Sequence, residues 1–246
     1  MSALVEAIVI GVQKAGTTAL FDYLGEEPGL AVSEVKETHF FDDETLDWAA
    51  PDYDLYHRRF PAADGRLRLE ATPIYSYWPN SLERIRAYNP AARLILMLRD
   101  PVERAWSHWR MEFARGAETQ PFAWCVRQGR QRLFEAQPWG HHREFSYVER
   151  GFYGEQVARL LTLFPREQLL VLRAEDLQAE PGRVLGDVRA FLGLAPGGAC
   201  AEPRRVHVGR EMDYGAELTT QDVAFLREAY ALDLARLAAL TGVTFD

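Results

Sequence analysis

The sequence predicts a three-layer α/β fold with a central parallel sheet, because short apolar runs alternate along it with stretches of helical periodicity. The runs AIVIG (7–11) and LILML (94–98) are apolar, as strands buried on both faces are. A loop with two glycines joins the first run to a helical stretch. At 246 residues, 48% of them hydrophobic, the chain is long enough for one large domain and short for two.

Taken in order, 7–11 is a buried strand and 17–24 the helix behind a tight loop. Further strands are expected at 30–33, 67–71, 94–98 and 168–172, with helices at 81–88, 102–113, 153–164, 183–192 and 220–240. In 153–164, Tyr153, Val157, Leu160, Leu161 and Phe164 share one face. Val223, Leu226, Tyr230, Leu234 and Leu237 do so in the last helix, and both stripes read as core. Segments 137–146 and 193–208 read as long loops, and no repeat or linker divides the chain, so one domain over 1–246 is expected.

Charge and composition narrow the function. A net charge of −8 speaks against nucleic acid as a partner. No run approaches the roughly 18 apolar residues of a membrane span, and the opening MSALVEAIVIG lacks the long apolar stretch of a secretory signal. The expectation is a cytoplasmic protein without a membrane partner. Cys125 and Cys200 form neither a disulfide framework nor a metal-ligand spacing. Of 28 basic residues only Lys14 and Lys36 are lysine. Against that arginine bias, a retained lysine marks a place that needs a compact ammonium rather than a guanidinium.

Both lysines lie in segments with chemistry. GVQKAGTT, Gly11 through Thr18, has the glycine spacing of a nucleotide P-loop, but Thr17 stands where that motif has its lysine, and Lys14 sits inside the loop. Backbone N–H groups of Gln13, Lys14, Ala15 and Gly16, with the Thr17 and Thr18 hydroxyls and the helix N-terminus, suit a phosphate. RDPVERAWS follows the strand at 94–98; Arg99 there suits a bidentate phosphate contact, Ser107 lies two turns into the next helix, and Asp100 and Glu103 read as helix-start charges. KETHFF places Lys36, Glu37 and His39 within four residues, the parts of a general base and a positioned acid, with Phe40 and Phe41 as core anchors. Tyr75, Tyr77 and Trp78 read either as cleft lining or as core, and His141 and His142 lack a third ligand for a metal.

Together these segments resemble the sulfotransferases that use 3′-phosphoadenosine 5′-phosphosulfate (PAPS), in the branch of the heparan sulfate sulfotransferases and related bacterial enzymes. The resemblance is clear from about residue 8 to 107 and implies a P-loop-like sulfotransferase fold. It implies that IVIGVQKAGTTAL holds the 5′-phosphosulfate, that Arg99 and Ser107 in LILMLRDPVERAWSHW hold the 3′-phosphate, and that Glu37 in KETHFF is the acceptor base. Gly209 and Arg210 resemble a late Gly-Arg that closes over the donor. Lys14 and Lys36 are then expected on the leaving oxygen and His39 on Glu37 or the acceptor. The product would be adenosine 3′,5′-bisphosphate, with no metal. The acceptor would be a small molecule, natural product or saccharide bearing a hydroxyl or amine. Where heparan-modifying members carry lysine after the glutamate of EATP (70–73), this chain has Ala71, which speaks against a heparan-like acceptor. The alternatives are a P-loop kinase, which would want lysine at position 17 and an acidic Mg²⁺ ligand, nominally Asp100, and an inactive nucleotide-binding scaffold.

Overall fold

The computed structural model describes residues 4–136, 140–195 and 214–245. Among them the chain runs β1 (Ala7–Gly11), α1 (Thr17–Gly25), β2 (Leu30–Val32), α2 (Tyr53–His57), β3 (Leu67–Ala71), α3 (Ser81–Tyr88), β4 (Arg93–Leu98), α4 (Pro101–Arg115), α5 (Phe122–Val126) and α6 (Arg132–Glu135). It continues through α7 (Tyr153–Leu163), β5 (Leu169–Arg173), α8 (Ala174–Ala179), α9 (Pro181–Leu192) and α10 (Thr220–Thr241). Two compact units result: residues 4–98 with 160–195, and residues 99–136 and 140–159 with 214–245.

The first unit holds a parallel sheet in the order β2-β3-β1-β4-β5, with β1 pairing β3 on one side and β4 on the other. Every residue of β1 is buried, and so are Leu94–Leu98 of β4, which is why both strands are apolar rather than alternating. Because all five strands run the same way, the segments that follow β1, β2, β3 and β4 leave the sheet at one edge, the edge where α/β sheets place ligands. Helix boundaries follow local chemistry. Pro181 sits in the first turn of α9, two residues ahead of the expected start, because its fixed φ suits a position whose N–H has no intrahelical partner. An ion pair from Arg189 of α9 reaches Glu27 at the end of α1.

In the second unit, α4 starts on Pro101, with Asp100 accepting from the backbone N–H of Val102 and Glu103. It stops at Gly116, whose φ of 77° suits a helix C-terminus. Trp109, Phe122, Tyr147, Leu226 and Tyr230 form its buried core. A reciprocal capping box between Thr219 and Asp222 opens α10, and of its expected stripe Leu226, Tyr230 and Leu237 are fully buried while Val223 and Leu234 are half-buried. Tyr153, Val157, Leu160 and Phe164 are buried as the periodicity of 153–164 requires, while Leu161 is half-buried. No helix among the described residues is long and apolar enough to cross a membrane.

Candidate active site

The loop after β1 is built by steric necessity. A Cβ on Gly11 would lie 2.4 Å from Ser76 Oγ and 2.9 Å from Leu96 Cδ1, so only glycine lets the strand end beside its neighbours. Val12 N–H then donates to Met97 O at 2.7 Å and Ala15 N–H to Val12 O at 3.1 Å, closing a tight turn. Lys14 and Gly16 take positive φ, 74° and 80°, which swings the chain into α1. Gly16 brings no side-chain cap to α1, and the helix's first turn has no acidic residue. Neither a side-chain cap nor a first-turn acid offsets the positive end of the helix dipole there, which suits an anion. Ala15 and Thr17 are buried in this turn, and Gln13, Lys14 and Thr18 are half-buried around it.

The segment after β2 assembles four ionisable groups in a row. Lys36 Nζ donates to Glu37 Oε1 at 2.9 Å, and His39 Nε2 faces Glu37 Oε2 at 3.4 Å. On its other side His39 Nδ1 donates to Asp42 Oδ2 at 3.0 Å, and the Asp42 side chain is wholly buried. Burial works against ionisation of Glu37, but the His39 hydrogen bond and the Lys36 charge outweigh it and hold the carboxyl down at about 2. For His39 the hydrogen bond to Asp42 is the largest influence and that to Glu37 the next; they raise the imidazole to about 9. At neutral pH Glu37 is therefore ionised and His39 protonated, an anion and a cation set between Lys36 and Asp42. Asp42 is a site residue that sequence reading missed; its signal was present, three residues beyond His39, where a bend of the chain brings i and i+3 together.

Arg99 follows directly on the last residue of β4 and Ser107 lies on α4. Both are half-buried. Arg99 makes a long contact to Glu103 Oε2 at 3.4 Å, and its carbonyl accepts from Tyr153 Oη at 2.9 Å, which pins the backbone there. Gly209, Arg210 and Cys200 lie outside the described residues. Phe40 and Phe41 are core anchors as expected, with Phe40 stacked on Tyr56 and Phe41 edge-on to Tyr75. Of the two readings of Tyr75, Tyr77 and Trp78, the structure bears out core, since all three are buried. His142 stacks on Phe145 and accepts from the backbone N–H of Glu144. No group of three or more metal-ligating side chains occurs among the described residues.

Residues 5–205 match the family model described as "Sulfotransferase domain". The human heparan sulfate glucosamine 3-O-sulfotransferases 3B1 and 3A1 are each 32% identical over 194 residues, 78% of this chain. The chain spans about half the length of the curated relatives it matches, 46% and 45% of these two. Among solved structures, a sulfotransferase from Alicyclobacillus acidocaldarius superposes with a TM-score of 0.82 at 27% identity, covering 99% of this chain and 98% of that one. The sulfotransferase domain of the Synechococcus PCC 7002 olefin synthase, 17% identical with a TM-score of 0.55 over 98% of this chain and 95% of that one, shares the fold. With its parallel sheet, its uncapped glycine loop after β1 and a family match covering most of its length, this chain belongs to the sulfotransferase domain family.

Proposed function

We propose that this protein transfers a sulfuryl group from PAPS to a hydroxyl, or an amine, of a small-molecule, natural-product or saccharide acceptor. The observation that carries the reading is the row Lys36–Glu37–His39–Asp42 on the same sheet edge as the Lys14 loop, in a chain of this family. The loop from Gln13 to Thr18 fits a 5′-phosphosulfate, because it offers backbone donors, two threonine hydroxyls and an ammonium with no acidic side chain in the first turn of α1. Arg99 and Ser107 would take the 3′-phosphate, the guanidinium giving up its long contact to Glu103 for a stronger bidentate one.

In the reaction the acceptor oxygen attacks sulfur, the bond from sulfur to the phosphate oxygen breaks, and Glu37 receives the acceptor's proton. Lys14 neutralises the charge that develops on the departing phosphate oxygen. Lys36 has a double role: paired with Glu37 it keeps the carboxylate ionised, and drawn toward the phosphosulfate it restores the basicity that the pairing suppressed. His39, fixed by buried Asp42, orients Glu37 and bears on the acceptor.

A P-loop kinase fits less well. Thr17 stands where the kinase lysine would, and Asp100 is committed to capping α4 and to an ion pair with Arg227 at 2.6 Å. The deciding experiment is a thermal-shift titration. Adenosine 3′,5′-bisphosphate should stabilise the protein without added metal and ATP should do so far less, since only the former satisfies Arg99 and Ser107. Equal stabilisation by ATP with Mg²⁺ would turn the assignment to the kinase.

A further inference from the structure

We propose that Glu70, in β3, is a positioning residue for Glu37, acting through a directed set of hydroxyls that hold the backbone of residues 38–41; this rests on the reading of Glu37 as the acceptor base. Glu70 is completely buried. Its Oε1 accepts from Tyr56 Oη at 2.8 Å, and its Oε2 accepts from both Thr38 Oγ1 and Thr72 Oγ1 at 2.7 Å. Thr38 lies between Glu37 and His39, so the carboxyl holds the residue next to the base.

The direction of the bonds in this set follows from the hydroxyls that serve this carboxyl: Thr38, Thr72 and Tyr56 each donate to it, and each hydroxyl has a single hydrogen. Thr72 spends its hydrogen on Glu70, so its oxygen is left to accept, and it accepts from Thr38 N–H at 3.0 Å. Thr38 likewise spends its hydrogen on Glu70. In its 3.1 Å contact with Tyr75 Oη, Thr38 Oγ1 is therefore the acceptor, and the tyrosine hydrogen lies toward Thr38 and Glu70. That turns the lone pairs of Tyr75 toward the backbone N–H groups of Phe40 and Phe41, which donate to it at 3.1 and 3.3 Å. Three anchor points, at residues 38, 40 and 41, thus depend on where Glu70 draws hydrogens.

A role in the fold alone explains this poorly. A buried carboxylate carries a desolvation cost that an apolar side chain in the same place would not. Burial is also the leading influence on its titration, holding the carboxyl above its ordinary range, with hydrogen bonds from the Thr38, Thr72, Tyr56 and Tyr75 hydroxyls opposing. The aromatic rings of Phe41, Tyr56 and Tyr75 already pack against one another around it. What the carboxylate adds is orientation of the loop that carries Glu37 and His39, and general-base catalysis is sensitive to displacement on the ångström scale.

The test makes Glu70→Gln and Tyr75→Phe, each alone and combined with Glu37→Gln. It measures turnover at saturating PAPS and acceptor, affinity for adenosine 3′,5′-bisphosphate, and thermal stability. Each single variant should lose about 10- to 100-fold in kcat while bisphosphate affinity stays within about twofold. On the Glu37→Gln background the further loss should vanish, because a base that is absent cannot be misplaced. Unchanged kcat in a folded Glu70→Gln or Tyr75→Phe protein overturns the proposal, as do losses that multiply with that of Glu37→Gln. Should Glu70→Gln not fold, Tyr75→Phe decides by the same criteria. Full turnover in Glu37→Gln alone would instead remove the base reading on which the proposal rests, a result the single variants tell apart.

Discussion

Replacing Glu37 by glutamine separates a base from a structural ion pair, because the two roles predict losses in different quantities. The carboxylate offers one oxygen to Lys36 at 2.9 Å and the other to His39 at 3.4 Å. Glutamine keeps one acceptor oxygen and turns an NH₂ toward whichever cation it does not serve. Losing two partly exposed ion pairs costs about 1 kcal/mol or less each, and a misdirected hydrogen bond adds about 1 kcal/mol. For a chain of this size that lowers Tm by at most about 6–12 °C, at about 2–4 °C per kcal/mol. If pairing were the whole role of Glu37, nothing more would change. Loss of a general base instead lowers turnover by about 10²–10⁴, or about 3–5 kcal/mol of barrier. The assay is transfer from labelled PAPS to an aliphatic alcohol at saturation, since an acidic phenol needs little help losing its proton. Binding of adenosine 3′,5′-bisphosphate, measured alongside, should be nearly unaffected. A folded variant that keeps more than about a tenth of wild-type turnover, below the general-base range, would refute the assignment.

Lys14→Arg should cost about 10²–10³ in turnover although the charge is kept, because a planar guanidinium cannot reproduce an ammonium's point contact in a turn as tight as 12–16; near-normal rates would show that lysine is not required there. The pH response has a defined sign: His39, raised to about 9, contributes stability that is complete below its ordinary 6.5 and lost as pH rises through 9. Glu37, held at about 2, contributes stability that is complete above 4.5 and lost as pH falls through 2. Asp42→Asn should bring the His39 midpoint down from about 9 toward 6.5, followed by NMR of its imidazole protons; a midpoint still near 9 would remove Asp42 as the main cause.

Elements whose pattern outlasts a single turn were legible in the chain. β1, β3 and α3 have the limits their composition predicts, and the other strands differ by a residue or so, because unbroken apolar runs and a 3.6-residue stripe each extend over enough positions to be unambiguous. α2, α5, α6 and α8 were not legible: with four to six residues each, they are too short to show a period and exist because neighbouring elements hold them.

The same distinction runs through the site. Sequence alone determined the glycine loop with its single lysine, and the proximity of Lys36, Glu37 and His39, because these depend on neighbours along the chain and on residue types without substitutes. Only the tertiary structure decided that Asp42 anchors His39 from a wholly buried position, and that Tyr75 serves the loop through its hydroxyl rather than a cleft through its ring. It also decided that Glu70, 33 positions along the chain from Glu37, is hydrogen-bonded to that residue's neighbour Thr38. Such pairings arise where β3 lies beside β2 in the sheet. Strand order, which no local spacing encodes, brings their side chains together.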